Sequence, residues 1–138
     1  LVGQRLNSHG YSNIDGLDIS PEMLEVARAK GCYENMIEGD LLSRLLIPDN
    51  TYNYIISAGT FTHGHVGASA LDELLRISKP GALFCIAINS TYFSSTGFEK
   101  KFHQLSKKIT QLEFITVQIY FEGDHTDGEG VVAIFRSV

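Results

Sequence analysis

Two aspartates stand where a short apolar run meets a turn. Asp18 closes Asn13-Ile14-Asp15-Gly16-Leu17, and Asp40 follows Gly39 at the end of a run from Tyr33 to Glu38. A carboxylate offers two acceptor oxygens, so an acid at a strand end can take both hydroxyls of a ribose. In a doubly wound sheet, ligands bind outside the carboxyl ends of the strands, and adjacent parallel strands would bring both acids to one rim. Each acid also has a plainer role open to it. Asp18 could help to cap the helix that follows, and Asp40 could be a solvated turn acid after a glycine.

His63 and His65 form a second group, one residue apart in the glycine-containing stretch Ser57 to Gly67. A structural zinc site wants four ligands, and no Cys/His/Asp cluster supplies them in sequence, so no metal is expected. A side chain that titrates near neutrality can instead accept a proton from a nucleophile. The stretch follows a strand end, which makes His63 and His65 candidates for facing a substrate; each could equally be bonded to nearby loop backbone. Tyr92 and Phe93 also follow a strand end, where substrate contacts often occur. His125, Asp124 and Asp127 read as solvated turn residues in the polar stretch Glu122 to Gly130.

The elements that must position these residues alternate between helix and strand, which predicts an α/β fold with a mainly parallel sheet. Leu1 to Ser8 read as the tail of a helix ended by Gly10. A first strand spans Asn13 to Ile19. Ser20-Pro21-Glu22 then starts a helix with a capping hydroxyl, a proline at the first helical position and an acid facing the helix dipole. A second strand, Tyr33 to Glu38, leads through a short helical turn over Leu41 to Leu46 to a third strand, Tyr52 to Ser57. A helix over Ala68 to Ser78 follows. Lys79-Pro80-Gly81 should turn the chain into Ala82 to Ile88, an apolar run expected to be buried on both faces. Phe98, Phe102, Leu105 and Ile109 recur at helical spacing and predict a core-facing stripe, with His103 off it and solvated. Glu113 to Phe121 and Val131 to Val138 read as an antiparallel closing pair.

The 138 residues sit in the ordinary size range of one domain, and a hydrophobic content of 43% with 20% charged residues is that of a globular protein. A formal charge of −5 excludes a general binder of phosphate backbone, which carries a basic face. Lys100, Lys101, Lys107 and Lys108 read as one solvated helix face. Two cysteines make no disulfide framework, and Cys85 behaves as a small buried hydrophobe. No run approaches a membrane span, so an intracellular setting, cytoplasmic or nuclear, is the expectation.

Four segments carry a family resemblance. Asp18-Ile19-Ser20-Pro21-Glu22-Met23-Leu24, Glu38-Gly39-Asp40-Leu41, Tyr52-Asn53-Tyr54-Ile55-Ile56-Ser57 and Leu74-Leu75-Arg76-Ile77-Ser78-Lys79-Pro80-Gly81 resemble successive motifs of class I S-adenosylmethionine-dependent methyltransferases, in the family's order. More narrowly, Ser57 to Gly67 resembles the methyltransferase-like protein 27 group. The resemblance implies a Rossmann-like, doubly wound α/β domain over 1–138, with an antiparallel C-terminal strand. Its cofactor would be S-adenosyl-L-methionine and its acceptor a small molecule or a protein side chain. It further implies that Asp18 holds the ribose hydroxyls, with Ile19 beside the adenine. Asp40 accepts from the adenine amino group, the Leu41 amide donates to a ring nitrogen, and the Leu41 side chain covers the base. Ser57 and Ala58 lie near the methionine portion and the methyl group.

The sequence departs from the family twice. Asn53 stands where an acid is often found. The glycine-rich loop after the family's first strand is not in the chain, because Leu1 to Ser8 resemble the helix just past it. In the family that strand lies between those ending at Asp18 and Ser57, so a 1–138 chain is expected to expose strand edges and to be unstable or aggregation-prone. Two other readings stay open. One is a nicotinamide-dependent oxidoreductase, since an acid ending the second strand also suits the ribose of NAD. The other is a catalytically inactive remnant acting as an interaction module.

Overall fold

The computed structural model describes residues 1–62, 64–118 and 128–138. The chain divides into two compact units, Leu1–Leu46 and Ile47–Val138.

In the first unit the order is α1 (Val2–Ser8), β1 (Asp15–Asp18), α2 (Pro21–Arg28) and β2 (Asn35–Glu38). α2 begins as the sequence predicts: Ser20 Oγ accepts the Met23 N–H at 3.2 Å, and Pro21 occupies the first turn. β1 and β2 pair in parallel, with Asp15 opposite Asn35 and Asp18 opposite Glu38. Asp15 Oδ1 locks that register by accepting both the backbone and side-chain N–H of Asn35, at 3.2 and 2.9 Å. Leu24 of α2 and Leu45 of the following turn are the buried apolar anchors of this unit.

The second unit holds β3 (Tyr52–Phe61), α3 (Ala70–Ile77), β4 (Ser78–Asn89), α4 (Ser90–Ser95), α5 (Phe98–Gln104), β5 (Ile109–Gln118) and β6 (Glu129–Ser137). Its sheet runs β3-β4-β6-β5; β3 and β4 are parallel, and β6 is antiparallel to both of its neighbours. One face of this sheet is the core. Phe84, Ile86 and Ile88 of β4 and Ala133 and Phe135 of β6 are fully buried there. Phe84 stacks on Phe135 with ring centres 4.5 Å apart, and Phe102 of α5 meets Phe135 edge-on at 5.6 Å. This is the aromatic stripe expected from the sequence, placed as core.

Four expectations are corrected. β4 is not buried on both faces: its even residues from Ala82 to Ile88 are buried, whereas Leu83, Cys85 and Ala87 are half-buried. Lys79-Pro80-Gly81 is no turn between elements but an irregularity inside β4, where pairing skips from Tyr52↔Ser78 to Tyr54↔Leu83. Ile109 starts β5 rather than ending the helix, because the apolar spacing continues across the boundary at Leu105. Tyr92 and Phe93, expected in a loop after a strand end, stand instead in a helix, α4: Asn89 Oδ1 accepts the Tyr92 N–H at 3.0 Å and caps it. The antiparallel closing pair is present, with β5 beginning earlier than expected, whereas His125, Asp124 and Asp127 lie outside the described residues.

Candidate functional site

Asp18 and Asp40 come together at the carboxyl end of the β1–β2 pair. Asp18 is the last residue of β1, its carbonyl accepts the Gly39 N–H at 3.0 Å, and Asp40 follows at once. Both acids make the same local contact. Asp18 Oδ1 accepts the Ser20 N–H at 2.9 Å, and Asp40 Oδ1 accepts the Leu42 N–H at 2.8 Å. A carboxylate bonded to the amide two residues on is an Asx turn, which fixes the rotamer. In both cases the second oxygen has no hydrogen-bond partner among the described residues. The turn role and a ligand role are therefore compatible, since one oxygen serves each. Asp18 does not cap α2; Ser20 does, and Ser20 Oγ also donates to Glu22 Oε2 at 2.9 Å. With its own amide donating first and Ser20 second, the Glu22 carboxyl is held below the ordinary glutamate range.

Apolar side chains flank the two acids. Ile19 is 64% exposed at this rim, unusual for an isoleucine beside a strand end, and Leu41 is half-buried. The Leu41 N–H makes no hydrogen bond to another described residue. The approach of the chain to Asp40 is set by Gly39. A Cβ there would stand 2.6 Å from Leu45 Cδ2 and 3.1 Å from Leu17 Cδ1, so any larger residue would have to displace the Leu45 side chain.

Ser57 and Ala58 lie in the second unit. Regular pairing of β3 with β4 stops at Ser57↔Ile86 and resumes at Phe61↔Ile88, so residues 58 to 60 bulge, with Gly59 at φ +82°. The strand thus runs four residues beyond the expected end, and Ser57 ends its regular part rather than the strand itself. Bulges of this kind recur beside active sites, where they re-aim side chains. Ser57 Oγ is buried and has no hydrogen-bond partner among the described residues. An unpaired buried hydroxyl costs about 1–3 kcal/mol, which makes it a point waiting for a polar partner. His65 is exposed in the loop after β3, its N–H donating to the Thr62 carbonyl at 3.2 Å. His63 lies outside the described residues.

At the carboxyl end of β4 stands Tyr92, which the sequence already marks as following a strand end. Tyr92, in the first turn of α4, is half-buried and lies beside the β3 loop: a Cβ on Gly67 would stand 3.9 Å from its hydroxyl. Its ring packs on Phe98 at 5.7 Å, and Phe98 packs edge-on against Phe61, the last residue of β3, also at 5.7 Å.

Residues 2–86 match the family model of the methyltransferase domain. The chain belongs to that family. It is 34% identical over 87 residues to human Methyltransferase-like protein 27, a match covering 62% of this chain and 35% of that protein. The chain therefore spans about a third of the length of that curated relative. Among solved structures it resembles the N-methyltransferase NodS of Bradyrhizobium japonicum in complex with S-adenosyl-L-homocysteine, with 16% identity and a TM-score of 0.65 over 91% of this chain and 66% of that one. A TehB-like SAM-dependent methyltransferase of Corynebacterium glutamicum gives 19% identity and a TM-score of 0.67 over 99% of this chain and 74% of that one. At such identities the likeness establishes the Rossmann-like fold of this methyltransferase-family chain. Among its described residues there is no group of three or more His, Cys, Asp or Glu side chains able to hold a metal ion, and no helix long and apolar enough to cross a membrane.

Proposed function

We propose that the chain is part of an S-adenosylmethionine-dependent methyltransferase, a single domain over 1–138, acting on a small-molecule or protein acceptor. The observation that carries this reading is the pair of acids on adjacent parallel strand ends, each with one oxygen fixed and one free. The residues fit the adenosine half of the cofactor. Asp18's second oxygen accepts ribose hydroxyls, and Asp40's second oxygen accepts the adenine amino group. The unengaged Leu41 N–H donates to a ring nitrogen, and the exposed Ile19 and the Leu41 side chain supply apolar surface for the base. Ser57 Oγ, buried without a partner among the described residues, fits a polar atom of the methionine portion, with Ala58 in the bulge beside it.

The cofactor supplies an activated methyl carbon on a positively charged sulfur. The chain's own task is alignment, because direct displacement needs nucleophile, carbon and sulfur in line and draws most of its rate from positioning. An acceptor that must lose a proton needs a base near its nucleophile. His65, exposed in the loop after β3, is assigned that role together with His63.

The test is a titration of S-adenosylhomocysteine and of NADH into the chain, followed by calorimetry and thermal melting. S-adenosylhomocysteine at a hundredfold excess over its dissociation constant stabilises the chain by about 2.7 kcal/mol, and Asp18→Ala weakens its binding. Stabilisation by NADH alone would replace this reading with an oxidoreductase. Binding of neither would favour a catalytically inactive remnant.

A further inference from the structure

Lys100, Lys101, Lys107 and Lys108 do not share one helix face. α5 ends at Gln104, so Lys100 and Lys101 stand on the helix, and Lys107 and Lys108 on the turn that follows. Asp72 holds Lys101. Lys107 and Lys108 are exposed, and their ammonium groups make no hydrogen bond or ion pair to a described residue. Both line a cleft of about 380 Å³ at the amino end of β4, a volume in the usual range of small-molecule sites. Leu75, Pro80 and Val138 supply the apolar part of its lining.

Hydrogen bonds fix the walls of this cleft. The Val138 N–H donates to the Lys108 carbonyl at 3.0 Å, which places the lysine turn against the end of β6. Ser137 Oγ accepts the Ala82 N–H at 3.0 Å and donates to the Lys79 carbonyl at 2.7 Å, which ties β6 to the start of β4. On the remaining side the Asn50 N–H donates to the Arg76 carbonyl at 3.1 Å, and the Asn50 side-chain amide is unengaged among the described residues. Two other charged residues of the lining are matched. Arg76 bonds Glu73 and Asp49, and Asp72 bonds Lys101. What is left is two ammonium groups against the single α-carboxylate of Val138, with exposed Lys79 next to Pro80. The connection between β5 and β6 leaves from the far ends of those strands, at Gln118 and Glu129, whereas the cleft lies where Ile109 pairs with Ser137.

Neighbouring like charges repel, and an anion between them relieves the repulsion while its apolar part covers apolar surface. We propose that this cleft binds a small organic anion, a carboxylate or phosphate monoester on an apolar body. Lys107, Lys108 and the Asn50 amide hold the anionic group, and Leu75 and Pro80 pack against the body. The occupant is a second ligand and not the methyl acceptor. Ser57, at the reacting end, pairs with Ile86, six residues further along β4 than Pro80 and roughly 20 Å away. The proposal therefore stands whether or not the methyl-transfer reading does.

The test uses probes that share one fluorescent body: 2-naphthyl phosphate, 2-naphthoate, 2-naphthol and (naphthalen-2-yl)trimethylammonium. The chain has no tryptophan to interfere, so fluorescence anisotropy reads their binding. The two anions bind about fivefold more tightly than 2-naphthol and the cation more weakly, and the anions' advantage shrinks as salt rises. The tighter of the two anions names the group that the site prefers. Lys107→Gln combined with Lys108→Gln removes the anions' advantage and leaves 2-naphthol as it was. Lys100→Gln, outside the cleft, changes neither. All three lysines are exposed, so the substitutions leave the fold intact. Lysine acetylation with and without 2-naphthoate, read by mass spectrometry, maps the site independently: Lys107 and Lys108 are protected and Lys100 is not. Anions that bind no more tightly than 2-naphthol, a double variant that keeps their advantage, an equal loss in Lys100→Gln, or protection that spares Lys107 and Lys108 would overturn the proposal.

Discussion

At the scale of single residues, the two acids differ from ordinary turn acids in what their turns leave over. An Asx turn consumes one carboxylate oxygen, and Asp18 and Asp40 each keep the other at a strand end. Gly39 is what allows Asp40 to reach its place. Gly39→Ala should destabilise the chain by about 1–3 kcal/mol, because the added methyl overlaps Leu45 and Leu17, and urea unfolding reads the loss directly. The same substitution should weaken S-adenosylhomocysteine binding beyond what a lower folded fraction explains, since Asp40 must shift with it. Cys85 gives a pH-dependent handle on the second unit. Burial pushes its thiol above the ordinary value, so its thiolate forms later as pH rises. Alkylation of Cys85 by iodoacetamide, followed by mass spectrometry, should accelerate at a higher pH in the folded chain than in urea. The linkage has a definite sign. The stability from burying the neutral thiol is complete below the ordinary thiol value and is lost as pH rises through the raised one. Coincident alkylation profiles in the two states would show that Cys85 is solvated.

At the scale of elements, the parts legible in the sequence are those decided by neighbours along the chain. Ser20, Pro21 and Glu22 mark the start of α2 because a cap bonds an amide three residues on, and that is what Ser20 does with Met23. Ser20→Ala should therefore cost about 1 kcal/mol, with a matching fall in melting temperature, while Ser20→Asp should retain most of the stability. Glu22 belongs to the same start, and its lowered value means that its contribution is present above the ordinary glutamate range and fades as acid titrates it. What was hidden depends on partners far away in sequence. Ile109 keeps the helical spacing of Phe98, Phe102 and Leu105 yet pairs with Ser137, and only that pairing makes it a strand residue. The bulge at residues 58–60 comes from the mismatch with β4, so Ser57 reads as a strand end in sequence although β3 continues to Phe61. α4 was not foreseen, because its cap, Asn89, equally suits a turn. Asp18 and Asp40 were placed correctly at their strand ends because Gly39 and Ser20 punctuate both; their free oxygens were not foreseeable, since these depend on the rotamer.

At the scale of the molecule, the sheet of the second unit has one covered face and one that is largely bare. Phe84, Ile86, Ile88 and Phe135 fill the covered side. On the other, Tyr54 is 65% exposed and Ile56 44%, level with half-buried Leu83, Cys85 and Ile134. Among the described residues β3 is hydrogen-bonded on one side only, to β4, and in the first unit β1 pairs only with β2. An apolar face beside an unpaired strand edge is the combination through which chains associate, since backbone pairing and apolar burial then reinforce each other. The 1–138 chain should accordingly self-associate as its concentration rises through the micromolar range, seen as a growing weight-average mass in light scattering. Replacing Tyr54 and Ile56 by lysine should suppress that growth, because opposed strands would then bring like charges together. Folding itself should be little affected, as both side chains are already in water and the core lies on the opposite face. A chain that stays monomeric throughout, with a single cooperative unfolding transition, would show that this face and edge are satisfied within one molecule. A double-lysine chain that still associates would move the contact elsewhere, with β5 next in line, where Leu112, Phe114 and Ile115 are 37–45% exposed on the sheet's other outer strand.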